Sequence, residues 1–127
     1  MCEKPSKMIV IVEDDEVAGR LLVKMIVEFF PNEKYIWLKS IAETNSFFSK
    51  NKLSTTDFLL LDFYLPDGTV WDIMEKIKSN ELNFSGRIVL IPGIQPNNEE
   101  EKLIKLYNPF SVIVKPIELF DLNKLLE

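Results

Sequence analysis

Residues 58–68 read FLLLDFYLPDG. Four apolar residues run straight into an acid, Asp62, and a proline and a glycine follow within six positions. A short unbroken apolar run fits a strand covered on both faces, and Pro66-Asp67-Gly68 then supplies a turn. Apolar runs before turns are ordinary. A carboxylate at the end of one is not, and it asks what charge the strand is delivering and to where.

Outward from this segment, strand and helix patterns alternate. MIVIV at 8–12 is a β-branched apolar run, again typical of a strand buried on both sides. Asp15 can cap the helix that follows, with Val17, Leu21, Met25 and Phe29 expected on its inward stripe and Pro31 ending it. Tyr35–Leu38 reads as a second strand. Ser40 and Glu43 have capping-box spacing and open a helix to about Ser49, before the third strand at Phe58–Leu61. Thr69 and Asp72 repeat that spacing ahead of a helix with Val70, Ile73, Met74 and Ile77 inward. Ile88–Ile91 is the fourth strand, and Pro96 to Glu101 is a helix start with acids at the positive end of the dipole. Ser111–Val114 is the fifth strand, and Ile117–Leu126 the last helix, with Leu119, Leu122, Leu125 and Leu126 in one arc. Trp37, Trp71 and Phe120 are the apolar side chains that periodicity buries least well, and Phe120 lies off the leucine arc, where it could mark a partner surface.

Five strand–helix units in 127 residues are too few for an eight-stranded barrel. The expected fold is α/β: a (βα)5 doubly wound parallel sheet, flavodoxin-like, in strand order 2-1-3-4-5, forming one domain over residues 1–127. No repeat, linker or low-complexity tract interrupts it.

Composition narrows the chemistry. Fifteen basic against 20 acidic residues give a net charge of −5, which disfavours nucleic-acid binding. No apolar stretch approaches the roughly 18 residues of a membrane span, and the start lacks a secretory core, so a cytoplasmic protein is expected. One cysteine, Cys2, excludes an internal disulfide and a multi-cysteine metal site, and the absence of histidine excludes His-based zinc sites and catalytic triads. Carboxylate chemistry remains.

In an open doubly wound sheet, function gathers outside the carboxyl ends of the strands. Those ends carry Glu13, Asp14 and Asp15 after strand 1, Asp62 after strand 3, Pro92-Gly93 after strand 4 and Lys115 after strand 5. Strands 1 and 3 are neighbours at about 4.8 Å in the expected order, so their acids crowd one crevice. Lys115 starts about 10 Å from Asp62, two strand spacings away, and its stem can cross most of that gap. Crowded carboxylates repel unless a cation neutralises them, and oxygen ligands favour a hard octahedral ion, Mg²⁺ before Ca²⁺ or zinc. A metal-held Asp62 beside a lysine and loop N–H groups is suited to attack phosphorus.

IVEDDE at 11–16, LLLDFYLPDG at 59–68 and VKP at 114–116 together resemble the receiver domain of two-component response regulators, across essentially the whole chain. The resemblance implies Asp62 as phosphoacceptor, Asp14 as a direct Mg²⁺ ligand with Glu13 acting through water, and the Tyr64 carbonyl as a further ligand. It implies that Lys115 contacts the phosphoryl oxygens, as do the N–H groups of Phe63 and Gly93, and that Lys115–Pro116 is cis. The implied partner is a histidine kinase or histidine phosphotransfer protein. The face formed by the fourth helix, fifth strand and fifth helix would serve a homodimer or output partner. Tyr64 and Ile94 would flank the path of attacking water and slow loss of the phosphoryl group. The implied chemistry is self-phosphorylation and slow self-hydrolysis, not turnover of a substrate.

Two switch positions depart from the family pattern. Pro92 stands where Ser or Thr is usual, and supplies neither hydroxyl nor N–H. Val112 stands where Tyr or Phe is usual. Phosphoryl acceptance is expected, since the acids and lysine are present, while the usual hydroxyl-and-aromatic response cannot run. The alternative is a pseudo-receiver that binds a partner without phosphorylation. Haloacid-dehalogenase-type phosphatases need a second acid two residues after the nucleophile, where this chain has Tyr64. Flavodoxin-type FMN binding needs a hydroxyl-rich loop after strand 1, where this loop is acidic. The last helix runs to Leu126-Glu127, which leaves a downstream effector open.

Overall fold

The run from Phe58 to Asp62 lies at the middle of the sheet, and all five of its residues are buried. The computed structural model describes residues 7–126, so Cys2 lies outside the described residues. In chain order the elements are β1 (Met8–Val12), α1 (Glu16–Phe29), β2 (Lys34–Leu38), α2 (Ile41–Lys50), β3 (Phe58–Asp62), β4 (Tyr64–Leu65) and β5 (Gly68–Thr69). Then come α3 (Val70–Lys78), β6 (Arg87–Ile91), α4 (Asn98–Tyr107), β7 (Ser111–Val112) and α5 (Leu119–Leu126). Five strands run parallel in the order β2-β1-β3-β6-β7. β4 and β5 pair only with each other, as a small antiparallel ribbon after β3. With that ribbon set aside, the order is the expected 2-1-3-4-5 of the doubly wound flavodoxin-like sheet.

Alternation along the strands divides the core in two. Val10, Val12, Leu59, Leu61 and Leu90 face a layer built from α2 and α3, including Ile41, Phe48, Val70, Ile73 and Met74. Ile9, Ile11, Phe58, Leu60, Val89 and Ile91 face Leu22 and Ile26 of α1 and Leu122, Leu125 and Leu126 of α5. No described helix is long and apolar enough to cross a membrane.

Three expectations need correction. The inward stripe of α1 is Gly19, Leu22 and Ile26; Val17 is 76% and Leu21 50% exposed, and Phe29 is exposed too. This helix is apolar on several sides, and Trp37 selects the face that turns inward. A Cβ on Gly19 would collide with the indole carbons, so only glycine lets the helix lie against that ring.

The fifth strand is two residues, not four. Ile113 N–H still donates to the Leu90 carbonyl (2.9 Å) and Lys115 N–H to the Pro92 carbonyl (2.8 Å). Pro92 has no N–H to return a bond to Ile113, so the parallel ladder stops there. Finally, α5 starts at Leu119 rather than Ile117, because the Glu118 N–H donates to the Asp121 carboxylate (2.9 Å) and fixes the helix entry. Trp71 is packed after all, against Phe63 and stacked on Tyr107 with centroids 6.1 Å apart. Phe120 stays exposed.

Candidate phosphoacceptor site

β1 and β3 are hydrogen-bonded neighbours, with Val12 opposite Leu61. The residues that follow this pair are Glu13 and Asp62, and both are buried. Asp14 is exposed beside them. Oxygens of Glu13, Asp14 and Asp62 lie within 4.8 Å of one another. Asp15 points away from them, and its carboxylate accepts the Val17 N–H (3.0 Å) and caps α1. That divides the acidic run into a cap and a cluster.

Lys115 comes from beyond β7 and reaches the same point. Its Nζ is 2.5 Å from Glu13 Oε1 and 3.2 Å from Asp62 Oδ1. The Lys115–Pro116 peptide is cis. Burial pushes the Glu13 carboxyl up to about 6, reinforced by Asp62 and opposed by Lys115. Glu13 and Lys115 also line an apolar cavity of about 100 Å³, together with Ala18, Leu21, Leu22 and Met25. Burial alone would lower the Lys115 ammonium, but the Glu13 hydrogen bond and the charges of Asp62 and Glu13 outweigh it and hold the ammonium above its ordinary value.

The donor set is all oxygen, clustered, and half-open through Asp14, which is compatible with a hard divalent cation. No family model matches the sequence, and no curated protein does. Solved structures do match. The non-phosphorylated HemR receiver domain from Leptospira biflexa is 26% identical, with a TM-score of 0.76 over 95% of this chain and 91% of that one. A signal receiver domain of an HD domain-containing protein from Pseudomonas fluorescens reaches 0.78 at 16% identity, covering 95% and 91%. The phosphorylated cyanobacterial phytochrome response regulator RcpA reaches 0.74 at 18% identity, covering 94% and 88%.

The fold is that of a response-regulator receiver domain.

Within this receiver fold, one further candidate residue touches Asp62. The Phe63 N–H donates to Asp62 Oδ1 (2.8 Å), while the Phe63 ring is buried. Gly93 is exposed, with nothing within 4 Å of the position a Cβ would take. Pro92 is buried and Val112 half-buried; neither has a hydroxyl or an aromatic ring. Tyr64 and Ile94 are both exposed, and the Tyr64 hydroxyl donates to Glu100 on α4 (3.2 Å).

Two contacts at this end of the sheet have no clear counterpart in the sequence pattern. Trp37 Nε1–H donates to the Glu13 carbonyl (2.7 Å). Asp67, in the turn after β4, accepts the N–H groups of Ile41 and Ala42 (2.8 and 2.9 Å) and so caps α2 from outside. Gly19, a glycine inside a helix, is the one local sign of the first. The second joins residues 25 and 26 positions apart, beyond any capping template.

Proposed function

We propose that this receiver accepts a phosphoryl group on Asp62 from a phosphohistidine of a partner kinase or phosphotransfer protein. The observation that carries the reading is the convergence of Lys115 Nζ on Asp62 Oδ1, at 3.2 Å, inside the acid cluster. Asp62 attacks phosphorus through a carboxylate oxygen as the phosphorus–nitrogen bond breaks, leaving an acyl phosphate and an imidazole that takes up a proton. Glu13, Asp14 and Asp62, with the Tyr64 carbonyl, would hold Mg²⁺. When bound, Mg²⁺ would supply positive charge to the equatorial phosphoryl oxygens. Lys115 supplies a second positive charge, and the Gly93 N–H a neutral donor, with the Phe63 N–H available once Asp62 Oδ1 releases it. The domain is not an enzyme on this reading: its chemistry is one self-phosphorylation and its slow reversal by water, in the cytoplasm. The exposed α4–β7–α5 face, with Leu106, Phe110 and Phe120, is the surface for a second copy or an output partner.

Incubation with a small acyl phosphate and MgCl₂, followed by intact mass, tests the proposal. The wild type gains one phosphoryl unit and Asp62→Asn gains none; an unmodified wild type overturns it. Pro92 favours a second reading, a phosphorylation-independent interaction module, because the hydroxyl that normally follows the phosphoryl group is missing. Partner binding that is identical for wild type and Asp62→Asn selects that module.

A further inference from the structure

We propose that Trp37 is a positioning residue for the acidic cluster, acting through the backbone of Glu13; the inference rests on reading that cluster as a cation site. β1 ends at Val12, paired with Leu38 of β2. One residue further, the Glu13 N–H still donates to the Leu38 carbonyl (2.9 Å). The opposite side of the same residue is held by a side chain: the Glu13 carbonyl accepts the Trp37 indole N–H at 2.7 Å. That carbonyl belongs to the peptide joining Glu13 to Asp14. Rotation of this peptide would swing the Asp14 carboxylate, so its orientation sets how two of the three clustered acids face each other.

The indole is itself fixed on two sides. The missing Cβ of Gly19 makes room for the ring against α1, where the ring carbons occupy the place a Cβ would take. Lys39 Nζ sits over the indole, 4.8 Å from the centroid, and is ion-paired with Glu16 in the first turn of α1. A glycine inside a helix weakens it. Here that weakness is tied to a ring whose one polar atom is aimed at the peptide between two candidate ligands. Outer contacts of this kind orient metal ligands and tune affinity.

Calorimetric titration with MgCl₂ of wild type and Trp37→Phe, alongside far-ultraviolet spectra and thermal melts, is the test. Trp37→Phe keeps a ring and removes the N–H. The expected result is a folded variant whose Mg²⁺ Kd rises about 3- to 10-fold, the range for one lost hydrogen bond. In a Trp71→Phe background, Trp37 is the sole tryptophan, and its emission is expected to change with MgCl₂ at the calorimetric midpoint. A folded Trp37→Phe with unchanged Kd overturns the inference, as does Trp37 emission indifferent to saturating MgCl₂; the second arm decides if Trp37→Phe does not fold. A wild type that binds no Mg²⁺ overturns the cation site itself and the inference with it, a result distinct from equal binding by both proteins.

Discussion

Lys115 crosses the site to put its ammonium 2.5 Å from a carboxylate oxygen of Glu13. The same nitrogen contacts Asp62, so one cation offsets two buried acids. Lys115→Ala leaves those acids facing each other without compensation. In EDTA near neutral pH it is expected to lower stability by about 1–3 kcal/mol, the scale for a buried charged group that loses its partner. MgCl₂ should restore most of the loss. Urea unfolding in both buffers measures this, and equal stability of variant and wild type in EDTA would refute it.

Glu13 makes stability depend on pH. Its carboxyl is held at about 6, against 4.5 ordinarily. The folded protein therefore keeps a proton that the unfolded chain has released. Glu13's contribution is fully present below 4.5 and is lost as pH rises through about 6. In EDTA, stability should fall across that interval, and Glu13→Gln should remove the slope. MgCl₂ favours the ionised acid, so the stabilisation it confers should grow over the same interval. Thermal midpoints measured with and without MgCl₂ on either side of it give the answer.

Asp67 ties the turn that follows β3 and β4 to α2. Its carboxyl is held below the ordinary carboxylate range by the N–H of Ile41, then that of Ala42. This contribution is present above the ordinary value of 3.8 and disappears as pH falls below it. Asp67→Ala is expected to cost about 0.5–2 kcal/mol, as for other lost helix caps. Asp67→Asn should lose less, and the difference should vanish in acid. Urea midpoints at two pH values resolve it.

α4 meets the core only through half-buried residues, Ile104 and Tyr107, and is tied by side chains at both ends. None of its ten residues is buried. Tyr64 bonds Glu100 near its start, while Tyr107 at its end bonds Glu75 (2.7 Å) and stacks on Trp71. Elements with few buried contacts open locally. Hydrogen exchange should be faster in residues 98–107 than in the central strands, and Tyr107→Ala should raise it several-fold there while leaving β1 and β3 unchanged. Protection of α4 equal to that of β3 would count against this.

The sheet and the acid cluster were legible because both are local signals. An apolar run such as MIVIV or FLLL declares a buried strand, and the residue that breaks it declares the strand's end. Once Glu13, Asp62 and Lys115 were assigned to strand ends, topology alone brought them together. The buried face of α1 was not legible, since Val17, Leu21, Leu22 and Ile26 give more than one apolar stripe and the choice depends on an indole from another strand. Nor was the end of the fifth strand, because what stops it is a missing donor on its neighbour. Tertiary contacts decided both.

The early stop of β7 has a consequence for assembly. That margin of the sheet offers only Ser111 and Val112 as regular ladder, too little to template an added strand. A copy or partner arriving on that flank must therefore be recognised by the shape and chemistry of exposed groups such as Leu106, Phe110 and Phe120. Continuation of the backbone lattice from one molecule into the next is closed to it.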